Sequence, residues 1–150
     1  MADEPVQYGV DPDKSHVTPE QRRQHGRDWF EHITCFPAPA PTTPYSRNGI
    51  VDFVFGEMWC RPGLDVKARR WITLACVAAA DTVVPIQSHI YSALKSGDIT
   101  IEEMHEFTLH FAVYMGWPKA SIVNQSVLDA WARIEEEGGP SPTPQPVPIW

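Results

Sequence analysis

Apolar residues recur along this chain at helical spacing, and no stretch alternates apolar with polar as a half-buried strand does, so an all-α fold is expected. Thr18-Pro19-Glu20 joins a capping hydroxyl, a first-turn proline and an acidic first turn; it opens a helix that carries Trp29, Phe30 and Ile33 and ends by Phe36. Pro37 to Pro44 cannot continue it, because alternating prolines remove donors and hold their neighbours extended, which predicts a stiff connector. From Asn48 to Trp59, apolar side chains fall nearly all round a short helix and predict burial on several sides. Asp65 caps a helix running to about Ala80. Its second half, Ile72 to Ala80, is apolar on every face and rich in small residues, the pattern of a central core helix.

Pro85 suits the first turn of the next helix, with Ile86, His89, Ile90, Ala93 and Leu94 inward and Gly97 as its left-handed stop. Thr100-x-x-Glu103 has capping-box spacing and starts a helix through Met115, stopped by Gly116. That helix is apolar at Met104, Phe107, Phe111 and Met115 and again at Leu109 and Val113 on its far side, which predicts a subunit interface as well as a core. Pro118 opens the last helix and Gly138-Gly139 closes it. The stretch from Pro140 to Trp150 is extended by composition. Two readings of it stay open: an end without packed structure, or an arm lying across a neighbouring subunit with Ile149 and Trp150 as its anchor. Three segments follow: an extension over 1–47 with one helix and the proline connector, a helical domain over 48–137, and a Pro-rich tail over 138–150.

The 150 residues, 43% of them hydrophobic, supply the apolar material of one globular domain. Lys and Arg number 12 against 19 acidic residues, and this net charge of -7 argues against nucleic acid or an anionic membrane as partner. The longest apolar stretch, Trp71 to Ala80, is far short of the ~20 residues that span a bilayer. Met1 to Asp13 lacks the apolar segment of a secretory leader, so a cytoplasmic protein is the default expectation. Cys35, Cys60 and Cys76 form neither a disulfide framework nor a Cys-x-x-Cys. No Gly-rich phosphate loop or serine nucleophile elbow is present. Glu102 and His105 have the Glu-x-x-His spacing of di-iron bundles, but the second such pair those sites need is missing. Neither a metal nor a cofactor is expected.

Two residues carry the candidate chemistry. His89 interrupts an apolar stripe with a group that titrates near neutral pH; it is either a core histidine satisfied by one hydrogen bond or a proton donor or acceptor facing a pocket. Glu57 sits in the aromatic run Phe55-Gly-Glu-Met-Trp59 and needs a cation or a histidine. An ion pair with Arg61, Arg69 or Arg70 is its structural reading, and an arginine lining a cavity could instead hold a substrate carboxylate bidentately.

Phe55-Gly-Glu-Met-Trp-Cys-Arg-Pro-Gly-Leu64, then Arg69, Ser88-His89 with Ala93-Leu94 and Gly97, Thr100-x-x-Glu103, and Tyr114-x-Gly-x-Pro118 together resemble the carboxymuconolactone decarboxylase family of the alkylhydroperoxidase D-like superfamily. The likeness runs from about Ile50 to Ile134. The superfamily's peroxidase branch places a Cys-x-x-Cys before the histidine, where this chain has Thr82 and Pro85, so no dithiol relay can operate there. The resemblance implies an all-helical homo-oligomer, a trimer or a hexamer, with pockets between or close to subunits. It also implies a cofactor-free lyase acting on a carboxylated lactone of aromatic degradation. Within that reading His89 protonates a ring carbon, Glu57 orients the imidazole, and Arg61, Arg69, Trp59 and Tyr114 surround the substrate. Trp71, Tyr91 and Trp117 are further expected walls of the pocket. A non-redox binding or structural oligomer of the same fold is the alternative reading, and a peroxidase using other thiols comes last.

Overall fold

The structure is a computed structural model and describes residues 13 to 150. The acidic residues that bear on a leader therefore lie almost wholly outside the described part. Six helices and no strands make up the described chain: α1 (Pro19–Thr34), a π-helix (Tyr45–Met58), α2 (Val66–Ala79), α3 (Val83–Lys95), α4 (Ile101–Met115) and α5 (Trp117–Glu136). None of them is long and apolar enough to cross a membrane.

The caps behave as their chemistry demands. Thr18 and Gln21 exchange side-chain and backbone hydrogen bonds across the first turn of α1, as Thr100 and Glu103 do on α4. Asp65 accepts from the Ala68 N–H at the start of α2. Gly97, Gly138 and Gly139 all take positive φ where the chain leaves a helix.

Side chains gather into two clusters. The larger joins Leu74 of α2, Ile86, Ile90 and Leu94 of α3, Met104 and Phe111 of α4, and Val123, Val127 and Ile134 of α5. The smaller joins Trp29 and Ile33 of α1 to Phe55, Trp59 and Cys60 of the π-helix and its exit. The central helix is α3, which packs on α1, α2 and α5. This corrects the expectation for α2, of which only Arg70, Leu74 and Ala78 are buried while Ile72 is 52% exposed and Cys76 lies at the surface. An all-round apolar pattern does not distinguish a buried helix from one with an exposed second face.

The helix expected over Asn48 to Trp59 begins earlier, at Tyr45, and is wound with i to i+5 hydrogen bonds, the last from the Trp59 N–H to the Val54 carbonyl at 3.1 Å. It crosses α1 almost backbone to backbone. A Cβ on Gly26 would run into the Val51 carbonyl oxygen and stand 2.9 Å from the Val51 carbonyl carbon, and one on Gly56 would stand 3.2 Å from the Gly26 Cα. Two glycines thus set the closeness of the crossing, and Arg23 locks it with two 2.9 Å hydrogen bonds to Asp52. The segment before Asn48 is in this way part of the packing that shapes the π-helix.

Residues 140–150 are free of regular structure, as composition predicts, but they lie along their own chain. The Ser141 N–H donates to the Lys95 carbonyl at 2.7 Å, Thr143 Oγ1 pairs with His32 Nδ1 at 3.0 Å, and Trp150 packs against the smaller cluster.

Candidate active site

Trp59 is the hinge between the two clusters. Its indole is nearly parallel to Phe55, with centroids 6.3 Å apart, and nearly parallel to the His89 imidazole at 6.5 Å. Beside it opens a cleft of about 160 Å³ lined by Met58, Trp59, Arg69, Ile72 and Thr73. The π-helix supplies Met58 and positions Trp59, and the exposed face of α2 supplies the rest; His89 of α3 stacks on Trp59 but does not itself line the cleft.

Arg69 is the cation of this cleft. Its Nη2 donates to the Arg61 carbonyl at 2.8 Å, its Nε is buried without a hydrogen-bond partner, and no carboxylate pairs with it among the described residues. Burial, and then the neighbouring Arg61 charge, pull its pKa down. A guanidinium in that state is a receptor for an anion, since a carboxylate would supply both the missing acceptor and the missing charge.

His89 is half-buried, and its ring makes no hydrogen bond among the described residues. Burial, with Arg70 adding to it, pushes its pKa down to about 4. Arg70 itself is 2% exposed; its Nε donates to Asp98 at 2.7 Å while Nη1 and Nη2 have no partner, so its charge is only partly answered. The substrate-free site consequently holds a neutral imidazole at pH 7.

The other expected site residues fall elsewhere. Glu57 is buried, but Lys14 at 2.7 Å and Arg22 hold its carboxylate, so the cations of its ion pair come from the N-terminal segment and not from Arg61, Arg69 or Arg70. No hydrogen bond joins it to His89 among the described residues, and it stands two residues from Trp59 as a brace for the π-helix. Tyr114 is 76% exposed on α4, stacked on His110, and is not part of the cleft. Of the other expected aromatic walls, Trp71 packs on Phe107, and Tyr91 stacks on Phe36 and donates to Glu137. Trp117 lines a separate groove of about 460 Å³ between α4 and α5, together with His105, Leu109 and Asn124. Sequence reasoning missed Ile72 and Thr73, which their place in an apolar run disguised as core.

No cluster of three or more metal-ligating side chains occurs among the described residues. All three cysteines are free; burial raises the thiol pKa of Cys35 and Cys60, which leaves them poor thiolates.

Comparison with known proteins adds the following. Residues 44–124 match the model of the carboxymuconolactone decarboxylase family. A nitrosuccinic acid decarboxylase of Metarhizium robertsii is 36% identical over 93 residues, covering 58% of this chain and 64% of the relative. A 4-carboxymuconolactone decarboxylase of Acinetobacter baylyi is 32% identical over 75 residues, covering 50% of this chain and 55% of the relative. The chain thus spans less than two thirds of the length of either relative. The family-matching stretch, residues 44–124, contains the cleft, Arg69 and His89.

Proposed function

The chain belongs to the carboxymuconolactone decarboxylase family, and from that premise we propose that it is a cofactor-free carbon-carbon lyase that removes carbon dioxide from a small acid bearing a second carboxylate. The observation that carries this reading is Arg69, a partly buried guanidinium without a carboxylate partner, in a cleft walled by the same Trp59 that stacks on His89.

The acids named by the two relatives share a chemical logic. Loss of carbon dioxide from a γ-carboxylated butenolide leaves electrons that spread into an oxyfuran anion; loss from the nitro-bearing carbon of nitrosuccinate leaves a nitronate. In each case the C–C bond breaks, its electron pair moves into the substrate's own sink, and a proton must be returned to carbon. The protein's tasks are to orient, to stabilise the developing anion and to supply that proton. Arg69 anchors the carboxylate that stays, with Arg61 adding positive charge. His89 stacks on the Trp59 wall of the cleft without lining it; neutral in the free site, it is driven toward imidazolium when an anion is seated on the far side of that wall, and then serves as proton donor. The expected test is carbon dioxide release by the purified full chain from 4-carboxymuconolactone and from nitrosuccinate. Release from at least one above the spontaneous rate supports the lyase; binding of both with release from neither would replace it with the non-redox binding oligomer.

Arg69→Met is expected to raise KM for the turned-over acid by about tenfold to a hundredfold, the worth of a charge-assisted hydrogen bond. The same change should leave the melting temperature level or higher, because it deletes a partly desolvated charge that lacks a counter-ion. Steady-state kinetics and calorimetry of the same preparation check both halves.

A homo-oligomer completes the reading. The cleft is below the ~300–1,000 Å³ of closed ligand sites, and a contiguous stretch of α4 and α5 leaves apolar side chains in water, with Val113 72% and Trp117 68% exposed beside Leu109 and Met115. Val113→Glu is expected to lower the mass measured by light scattering while the helical circular dichroism stays unchanged; an unaltered mass would place the subunit contact on another face.

A further inference from the structure

Residues outside the family-matching stretch converge on the helix that carries Trp59. Lys14 and Arg22 both hold Glu57, two residues before it. The same Lys14 ammonium sits 5.5 Å above the Trp150 indole, which meets His25 edge to face at 4.6 Å, packs against the smaller cluster and reaches the Cys60 side chain, next in sequence to Trp59. His16 Nε2 donates to the Ile149 carbonyl at 3.1 Å, which joins the segment before α1 to the arm. The arm is in turn tied down through Ser141 and Thr143. Lys14 is thus the node of a strap that runs from the arm, across the start of α1, to the π-helix. None of the strap residues lines the cleft; they touch what holds it.

We propose that Lys14 and Trp150 are positioning residues, which fix the stance of Trp59 against His89 and thereby the shape of the cleft. A charged clamp at Glu57 prevents the π-helix from turning about its axis, and the indole fills the space behind Cys60, whose thiol already donates to the Gly56 and Glu57 carbonyls at 3.1 and 3.3 Å. Without the strap, the last turn of the wide helix, beyond the Arg23–Asp52 lock, can shift, and Trp59 moves with it. Its effect on turnover rests on the lyase reading, but its effect on the Trp59–His89 stack does not.

The test therefore starts without substrate. The His89 ring-proton signals of the full chain, which feel the ring current of Trp59, are followed by nuclear magnetic resonance in wild type, Trp150→Ala, Trp150→Phe and Lys14→Met. Trp150→Ala is expected to displace the His89 signals, Trp150→Phe to restore them in large part, and Lys14→Met to displace them in a protein that keeps its helical circular dichroism. With the acid that is turned over, Trp150→Ala should raise KM by about tenfold to a hundredfold, the cost of a misplaced wall, and Trp150→Phe should recover most of it. His89 signals unmoved in folded Trp150→Ala overturn the proposal. If that variant does not fold, unmoved signals in Lys14→Met do the same. Displaced signals with no carbon dioxide release from any acid leave the strap in place and overturn only the lyase reading.

Discussion

Gly26→Ala is expected to destabilise the chain by about 3 kcal/mol or more, the upper range for forcing a methyl group into filled space. The added carbon would meet the Val51 carbonyl, a backbone group fixed within the π-helix that has no rotamer by which to withdraw. Relief requires the two helices to separate, which strains the Arg23–Asp52 pair and loosens Trp29 and Ile33 against Phe55. For a domain of this length the melting temperature should fall by roughly 10 °C. Gly49→Ala is the internal control: nothing lies within 4 Å of its added methyl, so thermal unfolding should change little. Equal melting of Gly26→Ala and wild type would mean that the crossing of α1 and the π-helix is looser than described.

His89→Gln is expected to lower kcat by about a hundredfold to ten-thousandfold, the contribution of a positioned general acid, while the melting temperature changes little or rises. Glutamine keeps a polar group of similar reach but cannot pass a proton. Because burial and Arg70 hold the free imidazole near pKa 4, forming the imidazolium on binding an anionic substrate requires a proton taken up from solvent. Calorimetric titration at pH 7 in buffers of different ionisation enthalpy should then show net proton uptake on binding of the acid, and His89→Gln should abolish it.

The same depression has a consequence for stability. An unfolded histidine takes up its proton near pH 6.5 and the folded one only near pH 4, so the unfolded state gains protons first as the pH falls. Folding stability is expected to be unaffected by this group above pH 6.5 and to decline steadily between 6.5 and 4. His25 and His32, also depressed mainly by burial, add to the decline in the same direction. Urea unfolding at pH 7.5 and at pH 5 compares the two ends.

What could be read from the chain before its structure follows from how local each feature is. The Thr100–Glu103 box, the Asp65 cap and the glycine stops at Gly97 and Gly138 are contained within one turn, and all occur as expected. His89 and Glu57 stand out because a polar group in an apolar setting is conspicuous, whereas Arg69 is one of three arginines offered as the cation for Glu57. The partners of Glu57 do not stand out, because Lys14 and Arg22 lie more than thirty residues away and only the crossing of two helices brings them near. Gly26 was invisible for a related reason: a glycine inside a helix looks like a weak position until the backbone it must admit is known. The α2 face failed in the opposite sense. Ile72 and its neighbours have the composition of a core, and composition does not record which face of a helix the rest of the chain covers.

The most direct test of proton delivery by His89 is to run the reaction in D2O and read the deuterium in the product. Wild type should place one deuterium on a single face of the carbon that lost carbon dioxide or of its conjugated partner, and the residual product of His89→Gln should carry it on both faces. Undiminished turnover by His89→Gln, with label on that same single face, would contradict the assignment and require another acid.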